Sequence, residues 1–161
     1  MSTRDFFIKR WEQELPAFGK VLRAVPDSHH SYRPHERSTA AGALAWQLAD
    51  EQQQICDMID TGAAHLGATT APSKTTDIVK AWDKATEDLR KRFRSLDDKK
   101  WSSPAKLMMG DKVLWTDTLE AMLWGYLFDM VHHRGQLSAY LRPMGAKVPA
   151  IYGPSADDMG S

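Results

Sequence analysis

The sequence predicts an all-α protein: a single four-helix-bundle domain over residues 1–161, with long inter-helix connections and an ordered, non-helical C-terminal tail. Three observations lead there. Four segments carry apolar residues at steps of three and four, the spacing that lines one face of a helix. No run of the alternating pattern expected of a strand stands out, and glycine and proline fall where the helical patterns stop. At this length a folded chain buries roughly 70% of the surface its unfolded form exposes, so neither a disulfide nor a structural metal is needed for folding.

The first helix is expected from about Thr3 to Ala24, with Phe7, Trp11, Leu15, Phe18, Leu22 and Val25 on one stripe and Pro16 as a point of bending. A second runs from Ser38, read as its N-cap, to about Thr61, where Gly62 stops it; Leu44, Leu48, Ile55 and Ile59 form its inner face. The third starts with Thr75 or Thr76 as N-cap and carries Ile78, Trp82, Leu89, Phe93 and Leu96, its basic run at 90–94 reading as a solvated face among acidic neighbours. The fourth extends from Thr116 or Asp117 to Arg142, ended by Pro143 and Gly145, with Leu119, Leu123, Tyr126, Met130, Leu137 and Leu141 inward. Connections at 25–37, 62–74 and 97–115 exceed the two to eight residues usual in bundles, so at least one is expected to cross an end. The segment 148–154 is too rich in proline and glycine for a helix and is expected to pack through Ile151 and Tyr152, with fraying beyond Ser155.

Composition removes several function classes. With 21 Lys+Arg against 21 Asp+Glu the formal charge is zero, which argues against nucleic-acid binding, where phosphate contact usually shows as a basic excess. No apolar run is long enough to span a bilayer, and the N-terminus opens into a charged amphipathic segment unlike a signal peptide, so a cytoplasmic protein without a membrane partner is expected. The single Cys56 fits a reducing compartment and reads as a packing residue. There is no glycine-rich phosphate loop, no G-x-S-x-G elbow and no C-x-x-C pair.

Polar residues that fall on inner faces are where chemistry is expected. Glu51 lies between Leu48 and Ile55 on the second stripe, with Gln47 one turn earlier at its edge. In the fourth helix His133 sits between Met130 and Leu137, with Asp129 one turn before it. An i, i+4 pair on one helix has the spacing to grip a single ion, and Gln47 or Glu51 can complete the site from the facing helix. The same pair is also a common hydrogen-bonded structural motif. A di-iron centre would need two Glu-x-x-His motifs, which the chain lacks. The six tryptophans read as core or interface material, Trp46 beside Gln47 being placed to line a pocket.

The run His132-His133-Arg134-Gly135-Gln136-Leu137, continuing through Pro143, Gly145 and the Val148-Pro149 to Pro154 tail, resembles the signature of the DinB/YfiT-like family of four-helix-bundle proteins; the region 38–51 resembles that family's second helix. The resemblance implies a divalent metal, often nickel or zinc, held by three histidines: one on the second helix and an H-x-x-x-H pair on the last. By position these are Gln47, Asp129 and His133, so two of the three ligands are changed. Aspartate remains a good oxygen ligand and glutamine a weak neutral one, making the set harder than three imidazoles. Glu51 is then a candidate general base or a compensating ligand. Gly135 is expected to admit a close neighbour, since its helix penalty of about 1 kcal/mol needs compensation, and Arg134 and Gln136 to tie the tail to the bundle.

Family members with known activity use a low-molecular-weight thiol, as transferases or as isomerases. The resemblance therefore implies a variant metal site with thiol-transferase or hydrolase chemistry on a small molecule. The rival is a stress-related, non-catalytic bundle that has lost the metal, its pocket residues bonding one another. A homodimer is implied by the resemblance and by more aromatic and Met side chains than four inner stripes require.

Overall fold

In the computed structural model, which describes residues 1–67 and 69–160, the four long helices form where the apolar stripes place them. They are α1 (Thr3–Arg23), α2 (Ala41–Thr61), α3 (Thr75–Ser95) and α5 (Leu119–Leu141), with a single-turn α4 (Asp98–Trp101) between the last two. Helix α2 packs on α3 and α5, and α1 packs on the same two, so α1 and α2 stand at opposite corners. The core is rich in aromatic contacts: Phe7 meets Phe93, Trp101 and Trp124, and Trp11 meets Phe93 at 5.0 Å between ring centroids. Helix α1 runs unbroken through Pro16.

The fold is mostly helical and not purely all-α. Three strands, β1 (Ala63–Leu66), β2 (Pro104–Met109) and β3 (Lys112–Thr118), form a small sheet in that order, β1 parallel to β2 and β2 antiparallel to β3. They occupy two connections expected to be irregular. The β2–β3 hairpin turns through Gly110 and Asp111, and Gly110 has φ +55°, a conformation in which a side chain would be strained. Because β1 leaves α2 directly and β3 runs into α5, whose first turn is capped by Thr118 (Oγ1 accepting from Ala121 N at 3.2 Å), the sheet is anchored to the two helices that carry the inward polar residues.

The long 25–37 connection supplies helix caps, which corrects two expected N-termini. Helix α2 begins at Ala41 without Ser38; Ala41 N and Gly42 N donate to the carbonyls of Tyr32 and His30 at 2.8 and 2.9 Å. Thr75 is already helical, its amide capped by the Asp27 carboxylate at 2.7 Å. Gly42 has a steric reason here, for a Cβ would stand 2.8 Å from the His30 ring.

The tail packs through Ile151 as expected, whereas Tyr152 is 72% exposed and is held by its hydroxyl, and the ordered segment continues further. Beyond Ser155 it folds back instead of fraying: Asp157 accepts from Val148 N and Arg142, and Asp158 from Ala150 N. Arg134 joins the tail to the bundle. Its Nη1 donates to Glu14 at 2.7 Å and its Nη2 to the Tyr152 hydroxyl at 2.6 Å, with Phe18 stacked 4.6 Å from the guanidinium. Gln136 is exposed and takes no part, and a Cβ on Gly135 would meet nothing within 4 Å, so the close neighbour expected at Gly135 does not exist. Nothing in the structure explains the glycine there.

Glu14 and Arg134 are almost wholly buried, 7% and 2% exposed at the side chain. Removing one member of such a pair leaves an uncompensated charge, so Glu14→Ala should lower the unfolding free energy by about 3–5 kcal/mol. Chemical denaturation of the variant beside the parent measures this.

Candidate functional site

The site lies at the seam of α2 and α5, where two apolar stripes meet and each is interrupted by polar residues. Glu51 is 4% exposed, held there because Leu48 and Ile55 on the same face are fully buried. His133, one turn after the buried Met130, faces it: Nδ1 stands 3.3 Å from Glu51 Oε1 and 3.5 Å from Asp129 Oδ2. The Gln47 amide donates to Glu51 Oε1 at 2.9 Å and lies 3.2 Å from His133 Nδ1. All four residues singled out in the sequence thus come together. Asp129 differs from the expectation in one respect: it is 55% exposed and reaches the cluster from the solvent side.

Electrostatics follow from this packing. Burial raises the Glu51 carboxyl above its ordinary value, against the pull of His133 and Gln47. The His133 imidazole is raised as well, chiefly by its hydrogen bond to Glu51. Glu51 thus favours a proton on His133, while His133 opposes one on Glu51 and burial favours it. Glu51 Oε2 is buried with no hydrogen-bond partner. Among the described residues, the Glu51, Asp129 and His133 ligand atoms all lie within 4.8 Å of one another. Two carboxylates, one of them with an unsatisfied buried oxygen, and an imidazole fit a divalent cation of hard to borderline character.

A cavity of about 710 Å³ opens from this cluster. Gln47, Glu51 and Asp129 line it, and the sheet supplies the facing wall through Leu66, Leu107, Trp115 and Asp117. Trp46 lines it as its place beside Gln47 suggested, with Nε1 donating to Thr69 Oγ1 at 2.7 Å. Sequence reasoning missed Asp50, Gln54 and the whole sheet wall. A hairpin signal was present: Gly110-Asp111 between segments containing Leu107 and Val113-Leu114-Trp115 is a two-residue turn flanked by strand-forming residues.

The architecture is that of a helical-bundle protein with a carboxylate–imidazole cluster at the base of a lateral cavity. The chain belongs to the DinB family, whose model matches residues 1–160. It is 24% identical to the uncharacterized protein YrdA of Bacillus subtilis (strain 168) over 170 residues, covering 97% of this chain and 92% of that one. Its fold is similar to that of a DinB-like protein from Bacillus cereus ATCC 10987, with TM-score 0.74, 20% identity and coverage of 91% and 95% of the two chains. It is more distantly similar to the mycothiol-dependent maleylpyruvate isomerase, with TM-score 0.56, 10% identity and coverage of 92% of this chain and 65% of that one. No described helix is long and apolar enough to cross a membrane.

The chain's own thiol stands apart from this cluster. Cys56 is fully buried between α2 and α3, its Sγ 3.9 Å from the Ala85 carbonyl, and burial pushes the thiol up to about 11. Only the thiolate is nucleophilic, so folded protein at pH 8 should resist a maleimide that labels the unfolded chain within minutes. The thiol is raised in the fold, so its contribution to stability is present below the unfolded value of about 8.5 and is lost as pH rises toward about 11. Labelling rates with and without denaturant check the first point.

Proposed function

We propose that this DinB-family protein binds a divalent metal, nickel or zinc, through Glu51, Asp129 and His133, with the Gln47 carbonyl as a fourth donor, and acts on a small molecule held in the adjoining cavity. The observation that carries this reading is the unpartnered Oε2 of Glu51 within a cluster of convergent ligand atoms. Glu51 takes the place that the changed histidines leave: it is the most buried donor, while Asp129 brings the second negative charge from the cavity side. Two carboxylates and a neutral imidazole balance a divalent charge, and because the metal takes the unprotonated ring nitrogen of His133, binding competes with protons. A metal so held would supply Lewis acidity, lowering the pKa of a thiol or water brought beside it.

The residues divide the remaining work. His133 is oriented by Glu51 and Asp129 together, and Gln47 can turn its carbonyl inward by rotation of its amide, at the cost of the bond to Glu51. The mycothiol-dependent isomerase of similar fold supports thiol-linked chemistry, transfer of a low-molecular-weight thiol or thiol-assisted isomerisation, with hydrolysis by an activated water as the variant of the same site. Where Glu51 is not engaged by metal, its raised carboxyl suits it to general-base work. Pairing into a homodimer is proposed as well, supported by the exposed Phe6 and Phe128 flanking Trp124 on α1 and α5 at 6.0 and 5.7 Å.

A second reading rests on the Gln47 amide, which already bonds Glu51: a metal-free hydrogen-bond network with a structural role only. Calorimetric titration of tag-free, chelator-treated protein separates the two. The metal reading predicts one zinc or nickel per chain in the parent, affinity lowered at least tenfold in His133→Ala, and acceleration of thiol conjugation to a generic electrophile that the variant loses. Absence of saturable binding in folded parent protein leaves the structural reading.

A further inference from the structure

The cavity beyond the cluster is of one electrical sign. Asp50, Glu51, Asp117 and Asp129 line it, and none of the chain's 21 Lys and Arg residues does. The whole chain is neutral, so this segregation is local. The hydrogen-bond capacity is equally one-sided. Tyr126 Oη donates to Gln54 Oε1 at 2.7 Å, Gln54 Nε2 to Asp50 Oδ2 at 2.6 Å, and Trp46 Nε1 to Thr69, so these donors are turned onto the protein's own acceptors. The second oxygens of Asp50 and Asp117 receive no donor among the described residues, and Glu51 Oε2 is buried with none. Around these acceptors stand the apolar faces of Trp46, Trp115, Met122 and Leu107.

We infer that the cavity receives a small organic cation, an amine or guanidine carried on an apolar body. Such a ligand brings donors and positive charge, the two things the walls lack, and nothing that competes with the carboxylates. The indole and phenol faces attract a cation electrostatically, and the apolar body is removed from water against Leu107, Met122 and the rings. A carboxylate-bearing ligand meets Asp50 and Asp117, which carry its own sign. The inference rests on the reading of the cavity as the substrate chamber of the cluster, and it uses different residues: with a divalent metal neutralising Glu51 and Asp129, the charges of Asp50 and Asp117 remain to receive the organic cation.

Three probes of one shape test it: 3-phenylpropylamine, 3-phenylpropan-1-ol and 3-phenylpropanoate, titrated calorimetrically into the full chain. The amine should bind at least tenfold tighter than the alcohol, and the carboxylate weakest. Equal affinities, the reverse order or no binding by any of the three overturns the inference, and this arm needs no variant. In the double variant Asp50→Asn with Asp117→Asn, confirmed folded by circular dichroism, amine affinity should fall to that of the alcohol while zinc affinity stays as in the parent; an amine preference that survives both changes overturns the assignment. The zinc titrations keep the two readings apart. A parent that takes zinc and shows no amine preference sinks this inference alone, and one that prefers the amine and takes no zinc sinks the metal reading alone.

Discussion

An acidic side chain buried in the seam between two helices is the constraint around which this molecule is arranged. Glu51 is buried almost as deeply as Leu48 and Ile55 on either side of it, and a carboxylate taken out of water is costly unless something replaces the lost hydration. One oxygen finds the Gln47 amide and His133; the other finds nothing. Between α1 and α3 the space is filled ring against ring by Phe7, Trp11 and Phe93, whereas the α2–α5 seam is interrupted by this polar cluster. The small sheet stands beside the seam and walls the cavity through Leu66, Leu107, Trp115 and Asp117.

The chain holds a second buried carboxylate, and the contrast is instructive. Glu14 faces Arg134, a permanent cation, and receives the Tyr152 hydroxyl as well. That cluster joins α1, α5 and the C-terminal segment, and the Glu14 charge is balanced within the protein. Glu51 has only a titratable imidazole opposite it and a second carboxylate, Asp129, nearby. The same kind of residue is thus paired with a permanent cation in one place and with a titratable ring in the other.

The helices were legible because their stripes are long and strongly periodic; every inner residue read on α1 to α3 is buried, and only Tyr126 on α5 is partly open, toward the cavity. The sheet was not. Strand β1 has four residues, β3 is exposed along nearly its whole length, and a register shift at Leu107 and Met108 breaks the alternation that would have marked β2. Caps were misread for a related reason: Asp27 and the carbonyls of His30 and Tyr32 reach α3 and α2 from a distant loop, which local spacing does not reveal. Within the site, helical phase and the family resemblance brought out Gln47, Glu51, Asp129 and His133, whereas Asp50 and Asp117 became visible only once the sheet was in place, because their shared cavity exists only in three dimensions.

The central claim is that the α2–α5 seam is a cation site completed by Glu51. Anomalous diffraction from crystals grown with zinc or nickel addresses it without reference to any substrate. A single strong peak at about 2.0–2.2 Å from Glu51, Asp129 and His133 is the predicted result. Well-ordered crystals with no peak in the seam, or with the metal only on surface histidines such as His35 or His132, would contradict it.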